Sequence, residues 1–156
     1  MAGLQILNPT AMNSPAVTIR PARPLDANQL VSLLETVGFS ESTLEIESRI
    51  AEKGRSGDVV LVAVDGSRVL GIVTAHLVPL LHRPAPVGRI TLLTVDQRVH
   101  GQGIGSALLA RAEGELIALG CTIIEVISNQ RYADSHGFYE HLGYEMTSLK
   151  FKKLIS

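Results

Sequence analysis

Apolar positions along this chain recur with two periods, and the switches between them mark out the elements. Leu30, Leu33, Leu34 and Val37 follow helical spacing behind Pro24 and Asp26, and Gly38 is placed to end the helix. Ser42 and Glu45 have capping-box spacing for a second helix, which carries Ile46 and Ile50 and stops at Gly54. A short strand over 17–20 precedes both. Residues 58–64 are rich in β-branched side chains, Asp65-Gly66 is a hairpin signal, and 69–78 reads as the returning strand. Pro79, Pro84 and Pro86 mark a connection with His82 and Arg83 at its tip.

The strand after this connection is apolar on both sides. Strict alternation sends Ile90, Leu92 and Thr94 to one face and Thr91, Leu93 and Val95 to the other, which suits a central strand. Ile104, Leu108, Ala112, Leu116 and Leu119 then return to helical spacing, closed by Gly120. Residues 122–128 read as a buried strand and 133–142 as a short helix ended by Gly143. Residues 144–154 read as a last extended segment, which Lys150, Lys152 and Lys153 give an edge-strand character. The order β-α-α-β-β-β-α-β-α-β predicts a single mixed α/β domain over 17–156 behind a loose leader over 1–16.

Composition narrows the setting. A 46 % hydrophobic and 19 % charged chain of 156 residues has the material for one folded core. A net charge of −1 gives no reason to expect nucleic acid or an anionic membrane as a partner. The single cysteine, Cys121, cannot form an internal disulfide; it reads as a core residue in a reducing, cytoplasmic protein. No apolar run reaches membrane-spanning length, and the first residues lack a signal-peptide pattern.

The chemistry concentrates where the central strand meets its helix. Gly101, Gly103 and Gly105 alternate with Gln102 and Ile104, so the backbone there is able to approach a ligand closely. A helix starting in such a loop presents unpaired N–H groups and the positive end of its dipole, a site for phosphate. A tight turn that needs only permissive dihedrals is the plain alternative. Ser106 follows Gly105 with no preceding Lys, so this is not a Walker loop, and Ser106 also stands where a dinucleotide fingerprint needs its third glycine. A diphosphate held by main-chain amides, without a metal, fits the stretch.

His100-Gly101-Gln102-Gly103-Ile104-Gly105 with the following Ser-Ala-Leu-Leu resembles the coenzyme A signature of the GNAT superfamily of N-acyltransferases, with His100 where Arg or Gln is usual. Phe138-Tyr139 and Gly143-Tyr144, behind Ser128-Asn129, resemble the closing signature of that family. The resemblance implies an α/β fold with a central mixed, mostly antiparallel sheet flanked by helices. It also implies a splay between the central strand and the strand after its helix. Acetyl-CoA is the implied co-substrate, its pantetheine arm in the splay against Leu93, Thr94 and Val95. Its diphosphate would lie on His100, Gly101, Gln102, Gly103, Ile104, Gly105 and Ser106. Asn129 would bond the pantetheine or order a water, with a strand-ending turn as its plain reading. Arg98 and Arg131 are open between a phosphate contact and a solvated loop position.

Acetylating an amine needs proton traffic in both directions. A free alkylamine with pKa about 10.4 is mostly protonated at neutral pH, and the departing thiolate needs a proton. By resemblance Tyr139 is the acid; by spacing alone it is a packing residue beside a Phe138–Leu142 stripe. Candidate bases are Glu125, as a half-buried carboxyl with a raised pKa, or His76, His82 or His136, or a water relay. Asp134 reads as a helix-start residue. The expected function is transfer of an acetyl group from acetyl-CoA to a primary amine, on a small molecule or peptide, in a ternary complex. A non-catalytic acyl-CoA-binding module is the alternative, and a homodimer is compatible with either.

Overall fold

A computed structural model describes residues 16–56, 58–128 and 133–155. The expected leader over 1–16 lies almost wholly outside the described residues. Five strands form one sheet in chain order: β1 (Thr18–Pro21), β2 (Val59–Asp65), β3 (Arg68–Val78), β4 (Val87–Val95) and β5 (Ile123–Val126). β1 to β4 pair antiparallel, and β5 joins β4 in parallel through the crossover helix α3 (Ile104–Ala118). Helices α1 (Ala27–Glu35) and α2 (Thr43–Ser56) cover one face, and α3 covers the other with α4 (Ala133–His141).

Two apolar layers hold the sheet between these helices. Val59, Leu61, Ala63, Val73, Ala75 and Ile90 pack with Leu108, Leu109, Ala112 and Leu116 of α3. Val62, Val64, Val69 and Ile72 pack with Leu30, Leu33, Leu34, Ile46 and Ile50 of α1 and α2. Burial of each Val, Leu or Ile among these side chains contributes about 1.5–3 kcal/mol relative to exposure. Cys121, 5 % exposed, belongs to the α3 layer, as its apolar setting implied.

Local signals are visible at several junctions. The Glu45 carboxylate accepts from the Ser42 amide at 3.0 Å and the Glu45 amide donates to Ser42 Oγ at 3.2 Å, completing the capping box. Gln29 of α1 clamps the hairpin between β2 and β3: its Nε2 donates to Ser67 O at 2.8 Å and its Oε1 accepts from Val69 N at 2.9 Å.

Several boundaries differ from the sequence expectation. Val37 and Leu119 lie beyond their helices and are exposed, because each falls in the terminal turn that leaves the core. α2 runs past Gly54 to Ser56. Leu142 is exposed, so Phe138 meets the α3 layer without it. Residues 144–155 form no strand and have no sheet partner among the described residues.

The alternation in β4 also breaks. β3 residues Thr74 and Ala75 pair with Leu92 and Ile90, leaving Thr91 as an extra, bulged residue. The phase therefore flips at Thr91. Ile90 packs toward α3, Leu92 toward α1 and α2, and Leu93 and Val95 toward α3 again.

Candidate active site

The bulge sits where β4 loses its neighbour. Pairing with β5 ends at Ile90 opposite Val126, and among the described residues Thr91–Val95 have no strand beyond them on that side. A gap follows, with the backbone of β4 as one wall. Asp96 N donates to Leu70 O of β3 at 2.8 Å, which fixes the phase of what precedes it. Since N–H and C=O groups alternate sides along a strand, Val95 and Leu93 turn their backbone groups into the gap. Thr94 does not: its backbone faces β3 and its side chain is buried, 7 % exposed.

His100 folds back on this wall. Its Nε2 lies 2.8 Å from Val95 O, and since a carbonyl only accepts, Nε2 carries the hydrogen. The side chain at the first position of the glycine signature thus ties the loop to the end of β4.

Gly101 and Gly103 adopt left-handed φ values of 77° and 79°, a region that L side chains rarely enter. A Cβ at either would meet nothing within 4 Å, so their dihedrals, not crowding, require glycine. Gly103 caps α3: its carbonyl accepts from Ala107 N at 3.0 Å and no side chain caps the helix. The amides of Ile104, Gly105 and Ser106 are therefore the unpaired first-turn donors of a fifteen-residue helix. The reversal of backbone hand at Gly101 and Gly103 turns neighbouring N–H groups toward a common concavity.

α4 closes the site from the side of α3. Phe138 Cζ lies 3.6 Å from the position of a Cβ on Gly105, so the aromatic ring rests on the first turn of α3. Tyr139 packs edge-on against Phe138 and Tyr144, with ring centroids 5.2 and 5.6 Å away. Burial pushes the Tyr139 phenol above its ordinary value. Tyr144 donates its hydroxyl to Glu113 Oε1 of α3 at 2.6 Å. Burial, with Glu113 holding the proton in place, raises this phenol far above the usual range.

Other sequence candidates are engaged elsewhere. Arg98 turns to Asp96, with Nη2 2.6 Å from Oδ2, while Arg68 reaches the same carboxylate at 3.1 Å. These partners, Arg98 first, hold Asp96 well below the usual carboxylate range. Glu125 is half-buried, and Arg89 binds it across β4 and β5, Nε to Oε1 2.6 Å. His76 and His136 are half-buried and His82 is exposed. Asn129 and Arg131 lie outside the described residues. Among the described residues no group of three or more His, Cys, Asp or Glu is placed to hold a metal ion.

Two site features escaped the sequence reading. The Thr91 bulge has no local signature, since it depends on what β3 offers opposite it. The Tyr144–Glu113 bond joins residues 31 positions apart, with only the helical register of Glu113 on α3 as a signal.

Comparison with known proteins places this geometry. One solved structure, a transcriptional regulator from Bacillus halodurans, matches over 89 % of this chain and 99 % of its own, with 24 % identity and a TM-score of 0.81. Glucosamine-6-phosphate N-acetyltransferase from Arabidopsis thaliana matches over 90 % and 99 %, with 19 % identity and a TM-score of 0.79. Both likenesses concern the fold. The aminoalkylphosphonate N-acetyltransferase of Salmonella typhimurium is 34 % identical over 94 residues, 60 % of this chain and 61 % of that protein, so the match spans less than two thirds of the relative. Among the described residues no helix is long and apolar enough to cross a membrane. Residues 27–144 match the family model described as the acetyltransferase (GNAT) family, and the chain belongs to that family.

Proposed function

We propose that this protein transfers an acetyl group from acetyl-CoA to a primary amine, directly and within a ternary complex. One coincidence carries the reading: the backbone of Leu93 and the Val95 amide, which have no strand beside them among the described residues, face a gap that ends at the open amides of the α3 first turn. A pantetheine arm is an amide chain that can pair with an exposed strand, and its diphosphate suits a helix N-terminus flanked by left-handed glycines. The residues present therefore fit acetyl-CoA. In this reading Leu93 and Val95 hold the pantetheine, and Gly101, Gln102, Gly103, Ile104, Gly105 and Ser106 hold the diphosphate. Thr94 supports the wall from beneath, and His100 orders the loop through Val95 instead of touching phosphate.

Bound there, acetyl-CoA supplies an activated thioester. The protein supplies position and protons. Tyr139, a half-buried phenol that keeps its proton at neutral pH, protonates the departing sulfur. With Glu125 bound to Arg89 and Glu113 bound to Tyr144, the reading assigns removal of the amine proton to a water relay. Cys121 is buried in the α3 layer, which supports transfer without an acyl-enzyme. The acceptor is an amine-bearing small molecule or peptide; the Salmonella relative, named for aminoalkylphosphonates, makes small anionic amines the first compounds to try.

Titration calorimetry with acetyl-CoA, joined to thiol-release kinetics over an amine panel, tests the reading. Saturable binding without magnesium and amine-dependent thiol release are expected. Binding with no release across the panel would support the non-catalytic module instead, and absence of binding would end both.

A further inference from the structure

Arg89 stands in a row of three polar side chains that crosses the sheet. Register places His76 of β3 opposite Arg89 of β4, and Arg89 opposite Glu125 of β5. Residues opposite one another project to the same face. That face is the one α1 and α2 occupy. Ile90, Ile124 and Val126 pack into the α3 layer, and a Cβ on Gly88 would meet Leu116 and Cys121 there, so alternation turns Arg89 and Glu125 the other way. The apolar layer of α1 and α2 takes in Leu92 of β4 but, among the described residues, nothing of β5. The side chains of Arg89 and Glu125 therefore stay 37 and 42 % exposed.

The row lies at the closed end of the gap. β4 and β5 part after Ile90 and Val126, one residue beyond Arg89 and Glu125. In the acetyltransferase reading, on which this inference rests, the diphosphate lies at the start of α3 and the pantetheine runs back along Val95 and Leu93. Its thioester end then points to this closure. An amine arriving there has Tyr139 on the α3 side of the sheet and the Arg89 row on the other. An open ion pair contributes little to stability, which gives the fold small reason to place one here. Both bonds of the pair also fall on one carboxylate oxygen: Arg89 Nε donates to Glu125 Oε1 at 2.6 Å, and Nη2 reaches the same atom. Arg89 Nη1 and Glu125 Oε2 take no part in those bonds.

We infer that Arg89 and Glu125 select the acceptor, and that the acceptor is a small amine carrying its own acid group, a carboxylate or a phosphonate. An exposed cation beside an exposed anion is complemented by a ligand with the opposite order of charge. The acid group lies on Arg89 Nη1, with His76 next to it, and the ammonium lies on Glu125 Oε2. The spacer between the two ligand charges is short, because the two protein charges are in contact. Held this way, the nitrogen sits at the closure of the gap, where it gives its proton to water before attack. A plain alkylamine satisfies Glu125 alone and leaves Arg89 without its ligand.

β-Alanine and β-alaninamide share size and amine and differ in the acid; aminoethylphosphonate supplies the phosphonate. Thiol release from acetyl-CoA should favour the acids over the amide by roughly tenfold or more in kcat/KM, carried mainly by KM. The ratio of the two acids shows which acid group the subsite prefers. A readout without acetyl-CoA separates the subsite from the reaction. The Arg89 Nε–H resonance, identified by its loss in Arg89→Gln, should move on addition of β-alanine and stay in place with β-alaninamide. Arg89→Gln should also abolish the preference for acids. Exchanging the charges, Arg89→Glu with Glu125→Arg, keeps an ion pair in the sheet but reverses the ligand, so the thermal melt should be preserved and turnover of the acids lost. Restored turnover in the exchanged chain would make the pair structural and overturn the inference. Equal kcat/KM for amide and acids, or a static Arg89 resonance, would overturn it as well. A moving resonance with no thiol release from any amine would support the subsite while ending the acetyltransferase reading.

Discussion

Thr91 and Thr74 lock the irregularity in the central strand: their hydroxyl oxygens are 2.6 Å apart, and Thr91 Oγ1 also donates to Thr74 O at 3.1 Å. These bonds hold the one extra residue of β4 at the level where β5 departs. Thr91→Val keeps the shape and the strand preference but removes the hydroxyl. It should cost about 1 kcal/mol in stability, read from the urea midpoint, and weaken acetyl-CoA binding as the gap wall loosens. An unchanged midpoint and an unchanged Kd would show that the bulge holds itself.

Tyr139→Phe keeps the ring packing with Phe138 and Tyr144 and deletes only the hydroxyl. The expected result is a fall in kcat of about a hundredfold with acetyl-CoA affinity preserved. The pH profile gives a second reading. Burial raises this phenol, so its proton is retained beyond the ordinary phenol value of about 10, and the alkaline loss of activity from Tyr139 falls above that value. An unchanged kcat at saturating substrate would remove Tyr139 from the chemistry.

Gly103→Ala forces a side chain into a left-handed φ of 79° with open space around it. The cost is conformational, about 1–2 kcal/mol, and acetyl-CoA affinity should fall with the geometry of the amides. Gly105→Ala is the control for stability, because its Cβ would meet Phe138 at an ordinary 3.6 Å inside a helix. Thermal melts of the two variants separate strain from packing; equal losses would contradict this account.

Asp26 couples stability to acid. Its carboxylate receives Arg20 Nη1 at 2.8 Å, Arg20 Nη2 at 2.9 Å and the Arg23 amide at 2.7 Å. The Arg20 bonds chiefly, then the Arg23 amide, outweigh burial and depress its pKa. A depressed folded-state pKa gives stability that is fully present above the unfolded value of about 3.9 and is lost as pH falls through the lower folded value. Asp26→Asn should therefore cost about 2 kcal/mol at neutral pH, with the deficit shrinking below about pH 4. Urea titrations at several pH values would show a constant deficit if the charge were irrelevant.

Much of this molecule is legible in its sequence because the signals act within a few residues. Helical spacing set Leu30, Leu33 and Leu34 on one stripe, Ser42 and Glu45 capped α2, and left-handed glycines stand at Gly38, Gly120 and Gly143 after three helices. The glycine signature was readable for the same reason, since its dihedrals and its helix start are local. Pairing with distant chain was not readable. The phase of β4 depends on Thr74 pairing with Leu92 and Ala75 with Ile90, and none of these residues carries that register in its own neighbourhood. Arg98, Glu125 and His100 looked available until folding brought Asp96, Arg89 and Val95 O beside them. Alternation in the last residues showed only that they can form a strand. Whether they do is decided by an edge offering hydrogen bonds, and an edge is a property of the assembled sheet.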